Sequence, residues 1–189
     1  GGLTVDGLEG NDRFLVDDNA VRTTLNGGGG TDEFQFAQLY ASRRDSAAGV
    51  SAEDVFATIQ TTRGYLSNGN SVDVTANGGS GADVFRVYHN LATLNLNGGF
   101  GDDSFVVKAF ALVGSTDSES ERDAIDISGD DGADFVQYVV SAPVNVNGGD
   151  GFDTIIVVGT EFSDDFVVTA DRKSTRLNSS HGYISYAVF

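Results

Sequence analysis

The chain has 189 residues and a formal net charge of −17, with 25 Gly, one Pro and no Cys, Met or Trp. The absence of Cys excludes a disulfide framework and a thiolate metal site. No apolar run reaches the ~18 residues of a transmembrane helix, so we expect no membrane insertion. The acidic balance repels phosphate and favours cations, so we expect no nucleic-acid partner. Because Met is missing even at position 1, we expect a fragment of a larger protein.

One short motif recurs six times, and we call it the box. Its pattern is G-x-x-G-x-D followed by any residue and an apolar residue. The outer glycines, the Asp and the apolar residue occur in all six boxes, whereas the second Gly is replaced by Leu8 in box 1 and by Asp130 in box 5. The boxes are GLEGNDRF at 7–14, GGGGTDEF at 27–34, GGSGADVF at 78–85, GGFGDDSF at 98–105, GDDGADFV at 129–136 and GGDGFDTI at 148–155.

Alternating apolar residues precede and follow every box, which predicts two half-buried strands joined by a Gly/Asp turn. Three pairs of boxes are about twenty residues apart. A twenty-residue step fits one coil of turn, strand, turn and strand, so that successive boxes stack on one edge. The sequence therefore predicts an all-β fold, a parallel β-solenoid resembling a β-roll over residues 1–170, although a hairpin meander stays open as an alternative.

Two insertions interrupt the period. Residues 37–71 include a predicted short helix at 51–62, opened by Ser51 with Asp54 three residues later as in a capping box, and a turn at Asn68-Gly69-Asn70. Residues 109–124 include the acidic run 117–123, which we expect to be an exposed loop. A weaker echo of the box, at 159–168, keeps an Asp and an apolar strand but lacks the glycine pair.

The last nineteen residues, 171–189, differ from everything before them. Their sequence, DRKSTRLNSSHGYISYAVF, resembles the translation of a sequencing-library adapter, and we interpret it as a non-native, unstructured tail. It contains three basic residues and one acidic residue, so residues 1–170 retain 8 basic and 27 acidic residues and a net charge of −19.

The chemistry of the box favours a hard cation. Glycine allows a close backbone approach with carbonyl groups turned inward, and the Asp adds a carboxylate. Ca²⁺ takes six to eight such oxygen ligands in flexible geometry, which two stacked turns could provide.

The boxes resemble the calcium-binding nonapeptide GGxGxDxUx of haemolysin-type (RTX) proteins, in which Ca²⁺ lies between stacked turns of a parallel β-roll. The resemblance implies a calcium-binding structural or adhesive module of a large secreted or cell-surface protein. It also implies a segment that stays unfolded at low intracellular Ca²⁺ and folds outside the cell. The implied metal ligands are the six box aspartates: Asp12, Asp32, Asp83, Asp103, Asp134 and Asp153.

The boxes also depart from that family, because its repeats are uninterrupted and occupy both edges of each coil. Here we expect boxes on one edge, irregular turns such as 17–20 on the other, and at most three stackable pairs. The alternative is a metal-independent β-solenoid stalk whose glycines serve shape alone. In that alternative Asn26, Asn77, Asn97 and Asn147 form side-chain amide ladders.

Catalytic chemistry has little support in the sequence. No box carries the Lys of a phosphate-binding loop, and we expect His89 to be a surface turn residue without a zinc or catalytic role. The acidic pairs Asp102-Asp103, Asp130-Asp131 and Asp164-Asp165 could suggest a solenoid carbohydrate-active enzyme. Adjacent strand residues point to opposite faces, however, so we expect no enzyme activity. The box phenylalanines Phe14, Phe34, Phe85 and Phe105 are expected to stack in the core.

Overall fold

A computed structural model describes residues 1–45, 51, 55–110, 124–139, 142–159, 166–170, 175–179 and 183–188. Every regular element in these residues is a β-strand, which confirms the predicted all-β class. None of the described residues forms a helix of the length and hydrophobicity that a membrane span requires.

Strands are numbered in chain order, and each box lies between a strand of a first sheet and a strand of a second. We call strand, box and strand a unit. The first sheet contains, as neighbours in space, β1 (Leu3–Glu9), β3 (Thr23–Gly29), β8 (Val74–Ser80), β10 (Leu94–Phe100), β12 (Ile125–Gly132) and β14 (Val144–Asn147). The second contains β2 (Arg13–Val16), β4 (Glu33–Phe36), β9 (Val84–Val87), β11 (Ser104–Val107), β13 (Phe135–Val139) and β16 (Thr154–Val158).

Neighbouring units pair in parallel and in register. Leu25 of unit 2 lies opposite Ala76 of unit 3, and Ala76 lies opposite Leu96 of unit 4. In unit 6 a two-residue strand, β15 (Asp150–Gly151), also pairs in parallel with β12. Parallel pairing excludes the hairpin meander for these units, because a meander requires antiparallel neighbours.

The core lies between the two sheets and is built from the inward half of each alternating strand. The second sheet contributes a column of phenylalanine rings whose centroids are 4.7 Å apart and whose planes differ by 4–7°. That separation equals the spacing of neighbouring strands in a sheet, so equivalent rings must stack face to face. The expected core stack is therefore confirmed for Phe14, Phe34, Phe85 and Phe105.

The first insertion forms a small antiparallel sheet of its own, with order β5 (Leu39–Tyr40), β7 (Gly64–Ser67) and β6 (Thr58–Thr61). The helix predicted at 51–62 is wrong where residues are described, because Thr58–Thr61 is a strand. Thr58, Ile59 and Thr61 are β-branched and favour strand over helix. The turn predicted at Asn68-Gly69-Asn70 is confirmed by the positive φ of Gly69, 77°.

The second insertion, with its acidic run, falls largely outside the described residues. The expectation of an unstructured tail differs from the structure, which places two strands in the tail, β18 (Thr175–Ser179) and β19 (Tyr183–Val188), beside β17 (Phe166–Ala170), which precedes it. These three pair antiparallel, and β19 joins β14 in parallel. Aromatic and β-branched residues in the tail are strong strand formers. The foreign origin of the tail stays a prediction.

Stacking determines the backbone conformation of the boxes. The second box glycine has φ between 96° and 110° at Gly28, Gly79, Gly99 and Gly149. Where the sequence has Leu8 or Asp130 instead, φ is still positive, at 76° and 71°. A left-handed conformation costs roughly 1–2 kcal/mol for a residue with a Cβ, so the register of the stack outweighs the local preference.

The fourth box position allows a matched test of this packing. Gly10 and Gly81 have nearly equal φ values of 122° and 128°, but a Cβ at Gly81 would lie 1.8 Å from the carbonyl oxygen of Gly30 whereas a Cβ at Gly10 would meet nothing within 4 Å. We expect Gly81→Ala to lower the free energy of unfolding by about 1–3 kcal/mol more than Gly10→Ala, because only Gly81 is overpacked. Urea denaturation of both variants measures the difference, and equal losses would contradict close stacking at this edge.

Candidate functional site

The six box aspartates form one row along the edge where the chain passes from the first sheet to the second. Each is the residue immediately before a strand of the second sheet. In each of the five neighbouring pairs, the backbone N–H of one Asp donates to Oδ1 of the Asp in the next unit, with N–O distances of 2.7–3.0 Å. The structure thus brings together all the sequence-predicted site residues: Asp12, Asp32, Asp83, Asp103, Asp134 and Asp153.

The expectation of at most three stackable pairs is wrong, because the row is continuous. The backbone of Asp32 bonds Asp83 at 2.7 Å across the first insertion, and Asp103 bonds Asp134 at 2.8 Å across the second. Both insertions therefore leave the register of the boxes intact. Asp32, Asp83, Asp103 and Asp134 are buried, and the two end members of the row are half-buried.

The second oxygen of the box carboxylates, Oδ2, does not take part in these hydrogen bonds. Oδ2 is buried and has no hydrogen-bond partner in Asp12, Asp32, Asp83, Asp103 and Asp134. A buried acceptor left unsatisfied costs roughly 1–3 kcal/mol, and more when it is charged. Each of these oxygens therefore requires a proton, a cation or a water molecule.

The first glycine of each box shapes the space around Oδ2. A Cβ at Gly98 would lie 2.1 Å from Oδ2 of Asp103 and 2.6 Å from the carbonyl oxygen of Gly129 in the next unit. The same cradle exists at Gly27, where the distances are 2.1 Å to Asp32 and 2.6 Å to Gly78. Two acceptors, a carboxylate and a carbonyl, thus converge on a point that only glycine leaves open.

Burial dominates the electrostatics of the row. Loss of hydration raises the pKa of Asp83, Asp103 and Asp134, and neighbouring carboxylates raise the pKa of each further. The backbone N–H that each receives lowers the pKa but does not offset the burial. For Asp103 the pKa reaches about 7. Ionised carboxylates in this row therefore destabilise the fold unless a cation compensates them.

The donor set fits a hard cation in its chemistry, because carboxylate and backbone carbonyl oxygens are the ligands that Ca²⁺ prefers. Within the described residues, no three His, Asp or Glu side chains converge on one point suited to a metal ion. A cation in this row would therefore take one box carboxylate per unit and complete its shell with turn carbonyls and water. The residues that could hold it are the box Asp and the first box Gly of the next unit.

The opposite edge contains a regular feature that the sequence reading missed. Asn19, Asn70 and Asn90 occupy equivalent turns, and each side-chain amide donates to the carbonyl two residues later, at 2.9, 3.3 and 3.1 Å. These turns were expected to be irregular. The spacing of the three Asn in the sequence could have revealed this feature. The steps between them are 51 and 20 residues, the same as those between boxes 2, 3 and 4.

An amide ladder runs beside the boxes on the first sheet. Asn97 donates to Asn77 at 2.7 Å, Asn77 to Asn26 at 2.8 Å, and Asn26 to Asp6 at 2.6 Å. The ladder is interrupted in unit 5 by Ser128, whose hydroxyl donates to Asp130 instead. Three of the four predicted ladder residues therefore take part, and the fourth, Asn147, lies beyond the interruption with its side chain exposed.

His89 is not a surface residue, contrary to the prediction. Its side chain is 1% exposed, and its Nδ1 lies 3.0 Å from the carbonyl oxygen of Asn68. The returning end of the first insertion packs over the turn after β9 and covers the ring. Sequence periodicity does not reveal this burial, because it arises from packing between segments that are distant in sequence.

Only one residue of the described acidic pairs lies in the row. Asp103 is buried in the row, whereas Asp102 is exposed and its Oδ1 accepts the backbone N–H of Ala133 at 2.9 Å. Asp130 and Asp131 are both exposed. The third pair, at 164–165, lies outside the described residues. Each described pair therefore contributes at most one carboxyl to the buried row.

No protein-family model matches this chain, and neither curated proteins nor solved structures show significant similarity to it. The resemblance to RTX repeats therefore rests on the boxes themselves.

The raised pKa values predict the pH dependence of the metal-depleted chain. A carboxyl whose pKa is higher in the folded state stabilises the fold when protonated, and this contribution is lost as pH rises from the unfolded pKa of ~3.9 through the folded value. For Asp103 the loss extends to about pH 7. We therefore expect the urea concentration at the unfolding midpoint to decrease as the pH is raised from about 5 to about 8.

The control is Asp103→Asn, which removes one titrating group and should make the urea midpoint decrease less with rising pH. A midpoint that rises across this interval in the metal-depleted chain would contradict the buried row.

Proposed function

We propose that residues 1–170 are a calcium-binding structural module, a parallel β-solenoid in which Ca²⁺ is held along the box edge of stacked units. The observation that supports this most directly is the column of buried Oδ2 atoms, each facing a glycine carbonyl of the next unit with no donor between them. Bound Ca²⁺ would supply positive charge to these acceptors. We further propose an adhesive or spacer role in a secreted or cell-surface protein, whose surface or matrix ligand the boxes do not specify.

Charge supports the same proposal. Residues 1–170 have a net charge of −19, and the row places six carboxylates at the spacing of neighbouring strands. Self-repulsion at this density opposes folding. A cation that binds only the folded state stabilises it by mass action, by about 2.7 kcal/mol for one site at one hundred times its dissociation constant. Several sites in one row would make folding strongly dependent on Ca²⁺.

A metal-independent β-solenoid stalk is the second candidate, and the Asn ladder favours it. The links among Asn97, Asn77 and Asn26 connect consecutive units without any cation, and the Phe stack needs none either. In this case the box carboxyls would be held protonated or hydrated. We propose no catalytic role, because the described acidic pairs place at most one carboxyl in the row.

Asp103→Asn separates the two candidates. The amide keeps the Oδ1 acceptor for Asp83 N–H, and in place of Oδ2 it offers an N–H donor to the Gly129 carbonyl. Under the calcium proposal, we expect the variant to melt at a higher temperature than the parent in chelator and to gain less when Ca²⁺ is added. Circular dichroism melts with chelator, with Ca²⁺ and with Mg²⁺ measure both effects.

The matched control is Asp73→Asn, since the Asp73 side chain is 48% exposed, lies outside the row and forms a 3.7 Å ion pair with Arg22. This variant should respond to Ca²⁺ as the parent does. If the parent itself melts at the same temperature in chelator and in Ca²⁺, the calcium proposal is wrong and the metal-independent stalk is supported.

A further inference from the structure

We propose that Asn147-Gly148 is a site of spontaneous deamidation in the folded protein, and that the other Asn-Gly pairs of the described chain are protected. Five such pairs occur, beginning at Asn26, Asn68, Asn77, Asn97 and Asn147. Asn-Gly is the dipeptide most prone to this reaction, because glycine has no side chain to hinder attack by its own amide nitrogen. The inference does not depend on calcium binding.

The chemistry needs no second reactant except water. The Gly148 amide nitrogen attacks Cγ of Asn147, an N–Cγ bond forms, and the Cγ–Nδ2 bond breaks. The proton from the Gly148 nitrogen leaves with the amino group as ammonia, and a succinimide remains. Water then opens either C–N bond of the ring and gives aspartate or isoaspartate. No electron transfer is involved, and one carboxylate is gained.

Three of the pairs are held in the strand geometry that prevents this attack. Asn26, Asn77 and Asn97 are half-buried members of the amide ladder. Their strands β3, β8 and β10 continue through the following glycine to positions 29, 80 and 100. Asn26 and Asn77 have ladder contacts on both sides and Asn97 has one, so none of them can rotate its Cγ towards the next amide nitrogen without breaking a ladder contact.

The fourth pair is protected in another way. Asn68 is buried, and its Nδ2 donates to Asp18 at 3.0 Å. The attacking nitrogen is also engaged, since the Gly69 N–H donates to the backbone carbonyl of Asp17 at 2.9 Å. Both reacting groups are therefore held by other partners.

The side chain of Asn147 lacks these restraints, although its backbone pairs with Val188 of β19. Its side chain is exposed, and strand β14 ends at Asn147, so Gly148 and Gly149 lie outside regular strand structure. The equivalent residue of the preceding unit is Ser128, whose hydroxyl is turned to Asp130 and extends no ladder to Asn147. Local opening at the end of an element requires little free energy.

The product would alter the last box. Gly148 forms the cradle of that box, where a Cβ would lie 2.2 Å from Oδ2 of Asp153. Isoaspartate adds one carbon to the main chain directly before this glycine. The register of unit 6 against unit 5 would then be lost at Gly148, while units 1–5 keep theirs.

The test is peptide mapping by mass spectrometry of the folded chain after incubation in mildly alkaline buffer, with chelator. We expect deamidation, the replacement of the side-chain amide by a carboxyl, to be about tenfold faster at Asn147 than at Asn77 or Asn97. A tenfold ratio corresponds to a difference of ~1.4 kcal/mol in the free energy of local opening. In urea the rates at these positions should converge. Equal rates in the folded chain, or a preference for Asn147 that persists in urea, would overturn the inference.

A variant tests the cause. Ser128→Asn offers a ladder partner to Asn147 and should slow its deamidation several-fold, whereas Ser42→Asn, at an exposed position outside the boxes that is followed by Arg43, should leave it unchanged. The Asn-Gly pair that Ser128→Asn creates lies inside β12, which continues through Gly132. An unchanged rate in the folded Ser128→Asn variant would show that the broken ladder is not the reason.

Discussion

The hydrogen bond from each box Asp backbone to the carboxylate of the next unit is the interaction on which the described fold depends. It joins units at the box edge, and it does so five times in succession with N–O distances of 2.7–3.0 Å. Because it links equivalent residues of neighbouring units, it fixes the register in which strands ~4.7–4.9 Å apart are stacked. The Phe stack and the Asn ladder follow from that register.

The same arrangement creates the chemical problem of the site. A carboxylate has two oxygens, and the neighbouring backbone satisfies only one of them. The other is buried beside a glycine carbonyl in five of the six units. Loss of hydration raises the pKa of Asp83, Asp103 and Asp134, to about 7 for Asp103. The box Asp carboxyl group therefore has two effects. One oxygen fixes the register of neighbouring units, and the other is an acceptor that needs a proton, a cation or a water molecule. Under the proposed function, stability and cation binding would be linked through the same side chains.

The Asp row, the Asn ladder and the second box glycine respond differently where an insertion or a substitution interrupts the repeat. The Asp row continues across both insertions, because the bonded atoms lie at the turn and the extra residues leave the stack elsewhere. The Asn ladder stops where Ser128 replaces an amide, because a short hydroxyl reaches its own chain instead of the next unit. The second box glycine tolerates replacement by Leu8 and Asp130 at the cost of a strained φ. A contact between units therefore survives an insertion or a substitution more readily when it depends less on one particular side chain.

The sequence by itself determined the strands, the boxes and the identity of the six Asp, because alternation of apolar residues and turn chemistry are local properties. It also placed the box phenylalanines in the core. It did not determine that the Asp form one continuous row, since a gap of 51 residues between Asp32 and Asp83 says nothing about where the insertion leaves the stack. The burial of His89 likewise depends on tertiary packing over the turn after β9, and the strand at Thr58–Thr61 depends on its pairing with β7 inside the insertion. Register between distant segments is a tertiary property, and with it come the burial and the pKa shifts that give the row its chemistry.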